Sequence, residues 1–388
     1  MSGHIRQRSP GSFELRYSLG VDPATGKRKV VTTTVKGSRK DAERELRRLL
    51  RTVDTGEHVD PTKMTVGQFL TIWLDTVKNE VAPRSHERYS SIVLQHLIPA
   101  LGNLHLVKLT PTHIQSFYNA LAIGGRADCK SGPLAPRSRR QIHRVLSEAL
   151  CRAVAQQVIA RNPCDVFKRR LPKVERKEMS VLSGPQSQVL LDAVRGDALY
   201  TPILLALSCG LRRGEALALR WRNVDFERRT VLIAESLEQT TGKRASLRFK
   251  PPKSDRTRRI ILPTFAVDEL RRLKREQAEM LLKLGVRQNG DTLACARSDG
   301  EPTTPVALTH SFTRLIKSMP DLPRVRFHDL RHTHATQLLL AGVHPKVAQE
   351  RLGHSTITLT LDLYSHVTET MQEDAADKID AAFRGQTQ

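Results

Sequence analysis

Alternation of apolar and polar positions opens the chain. Phe13-Glu-Leu-Arg-Tyr-Ser-Leu19 alternates, and Lys29-Val-Val-Thr-Thr-Thr-Val35 is rich in β-branched residues. Asp22-Pro-Ala-Thr-Gly26 between them carries turn chemistry, so the two runs predict a β-hairpin, with room for a third strand. The period then lengthens to that of a helix, from Ser38, a suitable N-cap, through Leu50. Residues 1–58 read as a small β-sheet-plus-helix module, followed by a linker at 59–63.

Helical spacing dominates the next hundred residues. Val66, Phe69, Leu70, Trp73 and Val77 recur on one face, and further helices are expected over 85–97 and 112–121. The stretch Gly124–Pro136 is a Gly- and Pro-rich loop. From about Pro136, the residues Ile142, Val145, Leu146, Ala149, Leu150, Ala153 and Val154 line another helix, which Asn162-Pro163 is expected to end. Residues 64–170 thus form a helical domain, and 171–180 a polar linker. The remainder, 180–388, begins helical, carries short strands at 230–234, 246–250 and 258–262, and returns to helices. The predicted class is mainly α with small β-sheets, an α+β fold in three domains.

Charge narrows the function. With 63 Lys and Arg against 40 Asp and Glu, the chain carries a formal net charge of +23, which calls for a polyanionic partner. Nucleic acid fits better than a membrane, because no apolar run approaches bilayer length and the N-terminus lacks a signal-peptide core. Residues 126–177 hold 14 Lys or Arg against 4 Asp or Glu. Arg137, Arg139, Arg140 and Arg144 cluster there at the start of a helix and are candidates for DNA phosphate contact, which gives affinity and register but not sequence choice. The five cysteines are odd in number and contain no CxxC pair, so a reducing, cytoplasmic compartment fits best. A Walker A loop is absent, which leaves ATP-driven chemistry without support.

Four segments of the last domain carry candidate chemistry. In Leu207-Ser-Cys-Gly-Leu-Arg-Arg-Gly-Glu215 an apolar helix breaks at Gly210 and restarts by Glu215, which sets Arg212 at the junction with its guanidinium free to reach a phosphate. Lys250-Pro-Pro-Lys-Ser-Asp-Arg-Thr-Arg-Arg-Ile-Ile-Leu-Pro263 reads as strand, tight turn, strand, with Lys253 at the tip. His328-Asp-Leu-Arg331 opens a helix and puts His328 and Arg331 on one face. Leu352-Gly-His354 precedes Tyr364 by ten positions. His328, His332 and His334 could suggest a metal site, and His328 and His332 have the i, i+4 spacing of some zinc sites, but no HExxH carboxylate lies between them and the nearby arginines would repel a cation; no metal is expected.

Taken in this order, the segments resemble the catalytic motifs of the tyrosine recombinases, the phage-integrase family. The resemblance spans roughly residues 180–384, and the earlier domains are less specifically similar to the family's arm-type DNA-binding module and core-binding domain. It implies a site-specific recombinase or integrase of a phage or other mobile element, working without a cofactor. Tyr364 would be the nucleophile, Arg212 and Arg331 the phosphate ligands, and Lys253 the general acid. His328 and His354 would assist, with Glu215 in support. The implied partners are double-stranded DNA attachment sites, three further copies of the chain in a homotetramer, and an excisionase or host DNA-bending protein. The segment from Thr368 to Phe383, with Met371, Ala375, Ile379 and Phe383 at helical spacing, reads as an amphipathic tail helix. A non-enzymatic DNA-binding regulator and a phosphotyrosyl topoisomerase are the alternatives.

The chemistry is coherent. A phosphotyrosyl ester divides one difficult exchange into two and conserves the bond energy. Planar guanidinium groups offer paired hydrogen bonds to the phosphate oxygens where charge develops.

Overall fold

The computed structural model describes residues 3–21, 26, 28–54, 63–124, 132–167, 171–174, 179–240, 246–252, 257–358, 361, 376–377, 379–380 and 383. The chain falls into two compact units, Met1–Glu175 and Arg176–Gln388.

The first unit contains two separate cores. Strands β1 (Gly3–Ser9), β2 (Ser12–Val21) and β3 (Arg28–Lys36) form an antiparallel sheet in that order, so the third strand precedes the predicted hairpin. Phe13, Leu15 and Tyr17 alternate onto the buried face of β2 and pack with Ala42 and Leu46 of helix α1 (Arg39–Asp54). Asp41 accepts from the Ser38 amide at 3.0 Å, which starts α1 where the sequence predicts; the helix continues past Leu50.

The second core is helical. A capping box between Thr65 and Gln68 starts α2 (Val66–Val77), whose Val66, Phe69, Leu70, Trp73 and Val77 are buried. The helix expected over 85–97 is α3 (Pro83–Ile92) and a π-helical turn (Val93–Leu97) running into α4 (Ile98–Leu101). Then come α5 (Pro111–Ile123) and α6 (Pro136–Ala155). Helix α6 stops short of Asn162-Pro163, because the chain turns at Gln157 with φ +57. Asn162 is buried in the turn that follows, where it donates to the Ser147 carbonyl at 3.0 Å and accepts from the Cys164 amide at 2.9 Å.

The second unit is built around α8 (Tyr200–Cys209), a helix buried on every side, preceded by α7 (Gly184–Ala193) and followed by α9 (Arg213–Ala218). Five short strands follow: β4 (Val224–Asp225), β5 (Thr230–Ile233), β6 (Ser236–Gln239), β7 (Leu247–Lys250) and β8 (Arg258–Ile261). Helices α10 (Thr264–Lys283), α11 (Pro305–Ser318), α12 (Phe327–Leu340) and α13 (Pro345–Leu352) complete the described elements. One sheet has the order β4-β5-β8 and the other pairs β6 with β7. The strands expected at 246–250 and 258–262 are present as β7 and β8, and the turn expected between them, with Lys253 at its tip, lies outside the described residues. β7 pairs with β6 (Lys250 opposite Ser236) and β8 with β5 (Arg258 opposite Ile233), so β7 and β8 belong to different sheets. The polar strand β6, without a marked alternation, was not anticipated.

Candidate phosphate-binding active site

The site begins where α8 stops. Gly210 has φ +65, and a Cβ there would lie 2.7 Å from both His334 Cδ2 and Leu352 Cδ2, so the break needs glycine for conformation and for space. It sets Arg212 at the N-terminus of α9. Arg212 Nη1 donates to Glu215 Oε1 at 2.8 Å and Nη2 to the Gly353 carbonyl at 3.0 Å. The guanidinium expected to be free is therefore held on two sides, with 27% of the side chain exposed.

Glu215 is 2% exposed and accepts from four N–H groups. Besides the Arg212 guanidinium these are the Arg212 amide at 3.0 Å, Arg258 Nη1 at 3.1 Å and Arg258 Nη2 at 2.7 Å. Burial alone would raise its carboxyl, but the Arg258 and Arg212 contacts prevail and hold it at about 2.

Helix α12 supplies the second arginine. Arg331, 2% exposed, donates to the Gly210 carbonyl at 2.6 Å and to the Leu352 carbonyl, and so ties the α8–α9 turn to the end of α13. Burial and then the positive field of Arg212 lower its guanidinium to about 9, still above neutrality, so it stays charged. One turn earlier on α12 lies His328, its ring 5.0 Å from that of His332 in edge contact. His328 is exposed at its surface, yet desolvation by the atoms packed around it, His332 and Arg331 bring its imidazole down to about 4. His354 follows α13, half-buried, and burial with Arg331 and Arg212 pushes it to about 3. Both imidazoles are thus neutral at pH 7, ready to donate one N–H each without adding cationic charge.

Arg212, Glu215, His328, Arg331 and His354 come together in the second unit. Lys253 and Tyr364 lie outside the described residues. So does most of the expected tail helix, of which Ile379 and Phe383 are described and exposed. In the first unit Arg137, Arg140 and Arg144 are exposed along one face of α6 and Arg139 is half-buried.

Two further residues escaped sequence reasoning, Arg258 and Arg351, and His334, considered there only among the metal-candidate histidines, joins them. His334 Nδ1 lies 2.8 Å from the Leu207 carbonyl and must donate to it, which leaves Nε2 to accept from Arg351 Nε at 3.1 Å. Arg351 also donates to the carbonyls of Ile261 at 2.8 Å and Ser208 at 2.9 Å. No local signal marks either arginine in a chain this rich in them.

Comparison with known proteins identifies the family. The model of the phage integrase family matches residues 181–371, and that of the phage integrase N-terminal SAM-like domain matches 65–122. The chain belongs to the phage integrase family. The ICEBs1 integrase of Bacillus subtilis is 27% identical over 381 residues, covering 97% of this chain and 99% of that one. A XerC-like tyrosine recombinase of Caldanaerobacter subterraneus is 25% identical, over 89% of this chain and 90% of that one. Among solved structures, the Tn1549 transposon integrase in complex with transposon right end DNA shares the fold at a TM-score of 0.66. It has 22% identity and covers 82% of this chain and 100% of that one. A lambda integrase tetramer bound to a Holliday junction aligns at 0.56, with 18% identity over 92% and 94% of the two chains. As a phage-integrase family member, the protein is a tyrosine recombinase, an enzyme of site-specific DNA cleavage and rejoining. Among the described residues no helix is long and apolar enough to cross a membrane.

Proposed function

We propose that the protein integrates, and excises, a phage or other mobile element by transferring a DNA phosphate to Tyr364. The Tyr364 phenol gives up its proton to solvent as its oxygen attacks phosphorus, and Lys253 protonates the departing 5′ oxygen, which leaves a 3′-phosphotyrosyl ester and a free 5′-hydroxyl. The 5′-hydroxyl of the exchanged strand then attacks that ester, its proton returns to lysine, and the departing Tyr364 oxygen takes a proton back from solvent. Arg212 and Arg331 bind the non-bridging oxygens, and neutral His328 and His354 donate to the same phosphate. The observation that carries this reading is the convergence of Arg212 and Arg331 on the adjacent carbonyls of Gly353 and Leu352, directly before His354.

The three segments take separate tasks: 1–58 binds arm-type DNA, 64–170 the core site, and 180–388 performs the chemistry. The solved relatives on DNA, one of them a tetramer on a Holliday junction, support a tetramer acting on two attachment sites through such a junction. An excisionase or host bending protein would set direction, and the setting would be the cytoplasm. The test is a nicked duplex cut from the element's own flanking DNA. It should trap a covalent complex whose peptide map ends on Tyr364, absent in Tyr364→Phe. A complex that persists in Tyr364→Phe removes the nucleophile assignment. Specific binding with no complex in the unsubstituted protein favours a DNA-binding regulator.

A further inference from the structure

The carboxyl end of α13 gathers three guanidinium groups on three successive carbonyls. The Arg351 carbonyl accepts from Arg258 Nε at 3.2 Å, the Leu352 carbonyl from Arg331 Nη2, and the Gly353 carbonyl from Arg212 Nη2 at 3.0 Å. A helix end leaves its last carbonyls without intrahelical partners and carries partial negative charge, so it is a natural seat for cations. The turn is shaped for close approach. Gly353 has φ +66, and a Cβ there would lie 3.0–3.1 Å from Cδ, Nε and Nη1 of Arg258.

Arg258 differs from the other two in what it faces. Its side chain is 10% exposed, and its two terminal nitrogens bond the two oxygens of Glu215. Glu215 Oε1 in turn holds Arg212 Nη1, while the Gly353 carbonyl holds Arg212 Nη2. Arg258 therefore grips both supports of Arg212: the carboxylate on one side and the α13 turn on the other. It is also the first residue of β8, five positions after Lys253.

We propose that Arg258 is a positioning residue for strand cleavage, which sets the Glu215 carboxylate and the α13 turn so that the Arg212 guanidinium is aimed at the scissile phosphate. This rests on Arg212 being a phosphate ligand. Arginine is required because one planar fork serves a carboxylate with two nitrogens and a carbonyl with the third; lysine presents a single point charge.

Two measurements on the full-length chain test it. The first needs no DNA: phenylglyoxal modification of Arg212, followed by peptide mass spectrometry. Arg258→Gln should raise Arg212 reactivity about tenfold, the effect of releasing a hydrogen bond to a charged group. Arg258→Lys should give a smaller rise. The second is the single-turnover rate of covalent complex formation on saturating flanking duplex. Arg258→Gln should slow it about tenfold while DNA affinity changes less than about twofold, a transition-state loss without a binding loss. Glu215→Gln with Arg258→Gln, which removes the carboxylate together with the guanidinium paired to it, should be no slower than Glu215→Gln alone. Unchanged Arg212 reactivity in Arg258→Gln, or additive losses in the double variant, overturns the positioning role. If instead Arg212 reactivity responds as expected but the unsubstituted protein forms no Tyr364 complex, the catalytic reading of the site fails, and Arg258 is left as an organiser of Arg212 alone.

Discussion

Replacing Glu215 by glutamine removes one charge and almost no volume from the centre of the site. The carboxyl is held at about 2, against an ordinary 4.5. At about 1.4 kcal/mol per pH unit, that difference is worth roughly 3 kcal/mol of folding stability. The figure agrees with the cost of about 3–5 kcal/mol for breaking a buried ion pair from one side. Because the folded value is depressed, the contribution is full above the unfolded value of 4.5 and disappears as pH falls through about 2. Urea unfolding of the two proteins should therefore differ by about 3 kcal/mol at pH 7. The gap should shrink to about 1.4 kcal/mol at pH 3 and close near pH 1, since other carboxylates titrate alike in both. A gap of the same size at pH 7 and pH 3 would refute the reasoning: it would mean that Glu215 matters for its shape and hydrogen bonds but not for its charge.

Gly210→Ala should cost about 2–3 kcal/mol, because the residue keeps a positive φ and its methyl group meets His334 and Leu352; a melting temperature within error of the parent would show that the turn relaxes freely. Gln277→Leu removes the acceptor 2.6 Å from the buried Trp221 indole N–H, and thermal melts should show a loss of about 1–3 kcal/mol. Arg140→Ala and Arg144→Ala should each lower the log–log salt slope of binding to a non-specific duplex by about 0.9. Slopes equal to the parent's would move those arginines off the phosphates.

What was legible in the sequence follows the range of the interactions involved. Helix α2 could be read because its signals are local: a Thr65–Gln68 cap and an apolar face repeating within one element. The break at Gly210 could be read because glycine between an apolar helix and a charged restart has few other uses. Strand pairing could not, since β6 with β7 and β5 with β8 are choices among distant partners, and β6 is too short and polar to advertise itself. The histidines and arginines of the site were visible as family motifs. The occupied state of Arg212 was not, because its partner Gly353 lies 141 residues away. Arg258 was hidden for a different reason: a strand arginine in a chain with 63 basic residues looks like surface charge until the carboxylate it neutralises is found.

The same cluster explains how so much positive charge is held in one place. Arg212, Arg258 and Arg331 meet the Glu215 carboxylate and the partial negative charge of the α13 carbonyls, and those partners fix the groups without neutralising them. The excess falls on the imidazoles, which Arg331 and Arg212 help to keep unprotonated. A phosphodiester entering this field supplies anionic charge at the point where the guanidinium groups converge, so it should raise the affinity of His328 and His354 for protons. Binding and protonation should therefore be coupled through charge: both imidazoles are neutral at pH 7, and the acid range in which they take up protons should lie higher beside DNA than without it. The sign is measurable at about pH 4–5: calorimetry of duplex binding in buffers of different ionisation heat should show proton uptake, and proton release there would refute the coupling.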